Sequence, residues 1–289
     1  MGKKAKIYLL IVAILILAFQ TVLILKDYEF PVLRPSGWVA DQQQDLIIFT
    51  LLLSLVVVIP VFFMLFRFIT KYSEKNTSAK YQPELDNNKV VETIWWTIPV
   101  LLIFILGIVT YKTSHSLDPF KPINSSKPTL QIQVVALQWK WLFIYPEQNV
   151  ATINYVKLPV DRPVEFKITA DAPMNSFWIP DLGGQIYAMS GMATELNLIA
   201  NKPGEFKGVS ANLSGEGFSK MRFIASAVGE VEFESWISQA QLKGEPFDHD
   251  MYHQLKKPST VGQTIYRLEE PGLFDHLVYA HTGQDRGGY

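Results

Sequence analysis

The 289-residue chain contains no cysteine. Disulfides, thiolate-zinc sites and cysteine nucleophiles are all excluded by that single absence. Histidine is scarce too: His115, His249, His253, His276 and His281 are the full complement, and none lies between Asp118 and Asp248. Copper is held by thiolate, imidazole or thioether donors. A domain built from that interval has neither of the first two, and isolated methionine sulfur does not hold a copper ion. No copper centre is therefore expected unless another chain supplies ligands. A serine with no neighbouring histidine also lacks a base to activate it, so a hydrolase is a poor reading. Charge is thin as well. Only 18% of residues are charged and the formal net charge is −1, which gives no electrostatic footprint for nucleic acid.

What the chain has in excess is apolar residues, 48% of the total and crowded toward the N-terminus, which points to a membrane class. Three apolar runs stand out. Ile7–Leu25 is ~19 residues, about one bilayer core. Leu46–Phe66 carries no charge and contains Pro60, which neighbouring helices can accommodate in a membrane. Thr93–Tyr111 has Pro99 one turn inside, and Trp95 and Trp96 at its start suit the headgroup level. Lys3, Lys4 and Lys6 precede the first run, and Arg67, Lys71, Lys75, Lys80 and Lys89 crowd the loop between the second and third. The positive-inside bias then places the N-terminus and the basic loop in the cytoplasm and everything after Tyr111 outside. The first run also fits a cleaved signal sequence; its length and the lack of a small-x-small site after it favour an uncleaved helix.

From Thr129 the hydrophobic period changes to two. LQIQVVAL, VATINYVKL, VEFKITA, ATELNLIA, EFKGVSA and RFIASAV are short, β-branched or aromatic, and divided by turn residues such as Pro146, Pro163 and Pro173. Evenly spaced strands of this kind predict an antiparallel sandwich or barrel. Beyond Val228 the period becomes helical, with Phe233, Trp236, Ile237 and Ala240 on one stripe of Glu232–Leu242. The tail after Gly244 reads as short helices and loops packed on the sandwich. The expected organisation is a transmembrane helix or signal-like segment over 1–26, a helical hairpin with a basic cytoplasmic loop over 27–124, the sandwich over 125–228 and a helical extension over 229–289.

The segments NNKVVETIWWTIPV, LQWKWLFIYPEQ, PMNSFWIPDLGGQIYAMSGM and GVSANLSGEGFSKM resemble subunit II of the haem-copper respiratory oxidases, most closely the quinol oxidases of the cytochrome bo type, with the aa3-type menaquinol oxidases sharing much of the pattern. The resemblance runs from about Asp41 to Val228. It implies two or three transmembrane helices followed by a cupredoxin-like sandwich. In members that oxidise cytochrome c, one loop reads Cys-x-Glu-x-Cys-x3-His-x2-Met and a further His comes from an earlier strand. Laid residue by residue on Gly204–Met221, the two cysteines fall on Ser210 and Ser214, the glutamate on Asn212, the histidine on Phe218 and the methionine on Met221. The earlier histidine falls on Asn175. Only Met221 is retained. The lipid-carrying cysteine found after the first apolar run in many relatives is also missing.

The resemblance further implies that the chain binds no cofactor of its own, while haems and copper reside in subunit I, which also handles the quinol. The partners are then subunit I, further oxidase subunits and membrane lipid. The location is the bacterial inner membrane, multi-pass, with the large C-terminal domain in the periplasm. The expected activity belongs to the complex: ubiquinol reduces oxygen to water and protons are translocated. An alternative class is a membrane-anchored, non-enzymatic sandwich such as an adhesin, receptor or assembly factor.

Three groups carry a sharp and a plain reading side by side. Trp139 and Trp141 match the family's aromatic electron-entry region, but two residues apart they also share one face of a strand and fill core or interface. Asn175, Ser210, Asn212 and Ser214 could form a polar nest for a ligand, or simply hydrogen-bond the folded loop's backbone. Glu92 stands at the start of the third apolar run. The helix N-terminus favours an acid there, and it also matches the family's glutamate at the mouth of a proton-uptake channel of subunit I.

Overall fold

The computed structural model describes Ile16, Phe19, Gln20, residues 30–73, Asn76 and residues 88–280. Most of the first apolar run, and Lys75 and Lys80 of the basic loop, lie outside the described residues. The chain divides into two units, residues 42–121 and the remainder.

The first unit is helical. Among the described residues, two helices are long and apolar enough to cross a membrane: α1, Trp38–Lys71, and α2, Lys89–Ser116. Their side chains are exposed almost throughout, as expected of surfaces that meet lipid or other subunits. Pro60 and Pro99 lie inside them without ending either helix. Asn88 caps α2, its side-chain oxygen accepting from the amides of Val90 at 3.1 Å and Val91 at 3.2 Å. An Asn at this position satisfies amides that have no helical partner.

The second unit is built from twelve strands: β1 Leu130–Leu137, β2 Lys140–Tyr145, β3 Val150–Ile153, β4 Tyr155–Pro159, β5 Val164–Ala170, β6 Asn175–Trp178, β7 Gln185–Ala188, β8 Thr194–Leu198, β9 Gly204–Ser210, β10 Arg222–Val228, β11 Glu245–Phe247 and β12 Thr264–Leu268. One sheet runs β11-β12-β3-β2-β1-β5-β8 and the other β4-β10-β9-β6-β7. The sandwich is mixed rather than purely antiparallel, because β1 lies parallel to β5 and β4 parallel to β10. Such pairs arise where the chain crosses to the other sheet before returning. The crossing is visible in VATINYVKL, which reads as one strand but breaks at Asn154. That residue takes a left-handed φ of 52°, accepts from the Trp141 amide and donates to Val261 O. β3 then belongs to one sheet and β4 to the other.

Between the sheets lies an aromatic cluster. Phe177 stacks on Phe223 at 5.1 Å, and Trp141, Phe143 and Phe166 pack around the pair. The outer face of the seven-stranded sheet is buried as well. Val135, Leu137, Leu142 and Ile144 meet Phe247, Tyr252, Leu255, Phe274 and Leu277 from the C-terminal tail. Burial on both faces explains why β2 continues after Lys140 as an unbroken apolar run, WLFIY, with no polar alternation. The tail comprises α3 (Glu230–Lys243), α4 (His249–Lys256) and α5 (Leu273–Ala280), and it also contributes β11 and β12, which extend the sheet beyond β3. These two strands are not anticipated by the sequence reading, because a three-residue and a five-residue strand leave too little periodicity to see.

Residues 36–40, including the first residues of α1, belong to the sandwich unit and are stitched to it. Ser36 N donates to Asp181 O, Trp38 N to Ile199 O and Ala40 N to Leu182 O, at 2.8–3.2 Å. A Cβ on Gly37 would lie within 2.8–2.9 Å of Leu182 and Ile199 backbone atoms, so this close approach requires glycine.

Candidate functional site

The loop from Ser210 to Met221 joins β9 to β10, a short antiparallel pair whose register fixes both ends. At one end, Met221 O accepts from Ser210 N at 3.2 Å. Asn175 opens β6 beside it, is 1% exposed, and its Oδ1 accepts from Ser210 Oγ at 2.9 Å. The same hydroxyl lies 3.4 Å from Asn212 O. Asn175 Nδ2 donates to Pro173 O at 2.8 Å, and Asn212 Nδ2 to Met174 O at 2.9 Å. Asn175, Ser210 and Asn212 therefore form one connected network, which ties the loop to the segment before β6 through backbone carbonyls. Short polar side chains commonly act this way in turns.

The other matched positions behave differently. Phe218 opens a single 3-10 turn, Phe218–Lys220, and is half-buried. Met221 is 1% exposed. Ser214 is buried, and its Oγ has no hydrogen-bond partner among the described residues. Its carbonyl accepts from Trp139 Nε1 at 3.1 Å. The donor set at the loop is hydroxyl and amide oxygen with one thioether. Oxygen donors of this kind suit hard cations, so the residues do not fit copper.

Trp139 corrects the strand reading. Only Trp141 sits in β2, fully buried in the inter-sheet cluster. Trp139 occupies the two-residue turn between β1 and β2 with a φ of 67°, unusual for a bulky residue. The turn swings its indole out over the loop, where Gly217 leaves room for it: a Cβ there would lie 2.2 Å from the ring. A signal was present in the sequence, since two apolar runs flank Gln138-Trp139, but tryptophan does not announce a left-handed turn as glycine would.

Lys140 is a second residue whose role emerges only in three dimensions. It is fully buried, and its ammonium donates to Leu255 O at 2.7 Å, Lys257 O at 2.9 Å and Ser259 Oγ at 2.7 Å. Burial pushes its pKa below the ordinary 10.5. Nearby, Tyr252 donates a short hydrogen bond to Asp171 Oδ2, and Lys256 Nζ reaches the same oxygen at 2.8 Å. Burial, and then the contact with Asp171, raise the Tyr252 pKa, so the phenol stays protonated. Both clusters lock the tail to the sandwich.

Glu92 lies in the first turn of α2 and is exposed. It belongs to the helical unit, whereas the loop residues belong to the sandwich unit.

Residues 34–113 match the family described as cytochrome c oxidase subunit II, transmembrane domain, and residues 148–228 match its periplasmic domain. Together these define a membrane-anchored oxidase subunit II. The chain is 44% identical over 273 residues to the cytochrome bo(3) ubiquinol oxidase subunit 2 of Pseudomonas putida, covering 94% of this chain and 87% of the relative. It is 43% identical over 261 residues to the ubiquinol oxidase subunit 2 of Acetobacter aceti, covering 90% and 85%. The quinol oxidase subunit 2 of Bacillus cereus is 36% identical over 241 residues, with 83% of each chain covered. The chain belongs to the quinol oxidase subunit 2 family of haem-copper oxidases. The non-enzymatic adhesin or receptor class is thereby set aside.

Proposed function

We propose that this chain is the metal-free subunit II of a ubiquinol-oxidising, proton-translocating terminal oxidase. Its positions Asn175, Ser210, Asn212, Ser214 and Phe218 are vacated copper-ligand positions, with Met221 the retained one. The observation that carries this reading is the 2.9 Å hydrogen bond between Ser210 and Asn175. It spans two positions that hold ligands in cytochrome c-oxidising relatives, and closes the loop with protein groups alone. Electrons from quinol then have no reason to pass through the sandwich. Haems and copper belong to the partner subunit I, which supplies the redox chemistry when assembled. The present chain contributes a membrane anchor, a rigid outer domain and, at Glu92, a carboxylate that collects protons at the cytoplasmic end of α2.

The relatives named above are ubiquinol or quinol oxidase subunits, which supports quinol over cytochrome c as the reductant. The test is oxygen uptake by the complex purified in mild detergent through a tag on this chain. Haem absorbance should co-elute, and ubiquinol should drive oxygen consumption while reduced cytochrome c does not. Turnover with cytochrome c, or isolation of this chain without haem under conditions that keep the membrane assembly intact, would overturn the proposal.

A further inference from the structure

We propose that His249 and His253 form a bidentate site for a divalent transition-metal ion of the zinc class. The two residues are four apart on α4, so they occupy adjacent positions on one face. Their Nε2 atoms converge to 2.8 Å, with ring centroids 4.3 Å apart. Two imidazole nitrogens on a tetrahedral zinc, each bound at about 2.0–2.1 Å, lie about 3.3 Å from each other. The rings therefore need to part by about 0.5 Å to admit the ion, a motion within reach of two exposed side chains.

Convergence alone does not make a ligand pair; the scaffold must hold it. Here it does. Asp248 caps α4, its Oδ1 accepting from Met251 N at 2.9 Å. Tyr252 and Leu255 are buried against the sandwich, and Tyr252 and Lys256 both engage its Asp171. The histidines thus project from a short helix that is fixed along its length, and little ordering is left to binding.

The proton arithmetic is simple. Zinc binding takes the Nε2 lone pair of each ring, so a proton shared between the two Nε2 atoms moves to Nδ1 of the ring that carries it. No electron is transferred, and water fills the coordination positions left open. The lack of cysteine means that no thiolate on this chain competes for the ion.

The test uses the full-length chain in detergent, without a histidine tag, titrated calorimetrically with zinc chloride at neutral pH. One saturable equivalent per chain is expected. Losing one of two linked donors weakens binding by about 100-fold or more, so His249→Ala and His253→Ala should each abolish the equivalent. His276→Ala should leave it in place. Absence of saturable binding in the wild type, survival of the equivalent in either of the first two variants, or its loss in His276→Ala would each overturn the proposal.

Discussion

The indole of Trp139 and the missing side chain of Gly217 form a lock-and-notch pair, and their coupling can be measured. Gly217 has a φ of −84°, open to any residue, so only space enforces glycine there. An alanine Cβ would stand 2.2 Å from the indole Cδ2 and 2.4 Å from Cγ, against an ordinary contact of 3.4 Å or more. The ring must retreat by more than an ångström, and the 3.1 Å bond from Nε1 to Ser214 O cannot survive that retreat. Losing the bond costs about 0.5–1.5 kcal/mol. Overpacking adds about 1–3 kcal/mol. The stiffer unfolded chain returns about 0.4–1 kcal/mol. Gly217→Ala should therefore destabilise the sandwich by about 2 kcal/mol. Trp139→Gly removes the ring and suits the left-handed turn, and in that background Gly217→Ala should cost almost nothing. Hydrogen exchange at β9 and β10 amides, in all four members of the cycle, reads the coupling directly. Additive effects, with an alanine penalty unchanged when the indole is gone, would refute the steric account.

Lys140→Met should cost about 2–4 kcal/mol, because two carbonyls and a hydroxyl lose their donor, and the loss should appear first as faster exchange in the tail. The folded pKa of Lys140 lies below 10.5, so between the two values the unfolded chain holds more protons and wild-type stability rises with pH. The wild type should gain on the Met variant across that window; a gap that narrows as pH rises toward 10.5 would contradict this. Glu92→Gln should slow oxygen turnover of the complex several-fold while haem content and assembly stay at wild-type levels, with Glu92→Asp retaining more activity. Equal turnover for all three residues would reduce Glu92 to a helix-end charge.

The donor types of the loop were legible because they depend on residue identity alone: hydroxyls, amides and one thioether. The two long helices and most strands were legible because burial on one or both faces leaves a period or an unbroken run. Helix α3 carries Phe233, Ile237 and Ala240 on its buried side as its spacing predicts. What stayed hidden depends on contacts between residues far apart in the chain. Nothing local tells that Trp139 turns out of its strand to cover Gly217, or that Asn154 moves the chain from one sheet to the other. Lys140 is a lone charge in KWLFIY, and its acceptors lie over a hundred positions away, beyond any local pattern. The pairing of Asn175 with Ser210 was likewise a matter of which strands become neighbours.

That distance gives Lys140 a meaning in time as well as in space. Its strand is made early and its acceptors, in residues 255–259, are made late. A chain still emerging from the ribosome holds an ammonium whose partners do not yet exist, and the outer face of β1, β2 and β3 stays wet until the tail arrives. A copy terminated before Leu255 keeps that apolar face open permanently, in the form that proteases and chaperones recognise. The tail, translated after the strands it covers, closes the domain, so chains that carry it are distinguished from chains cut before it.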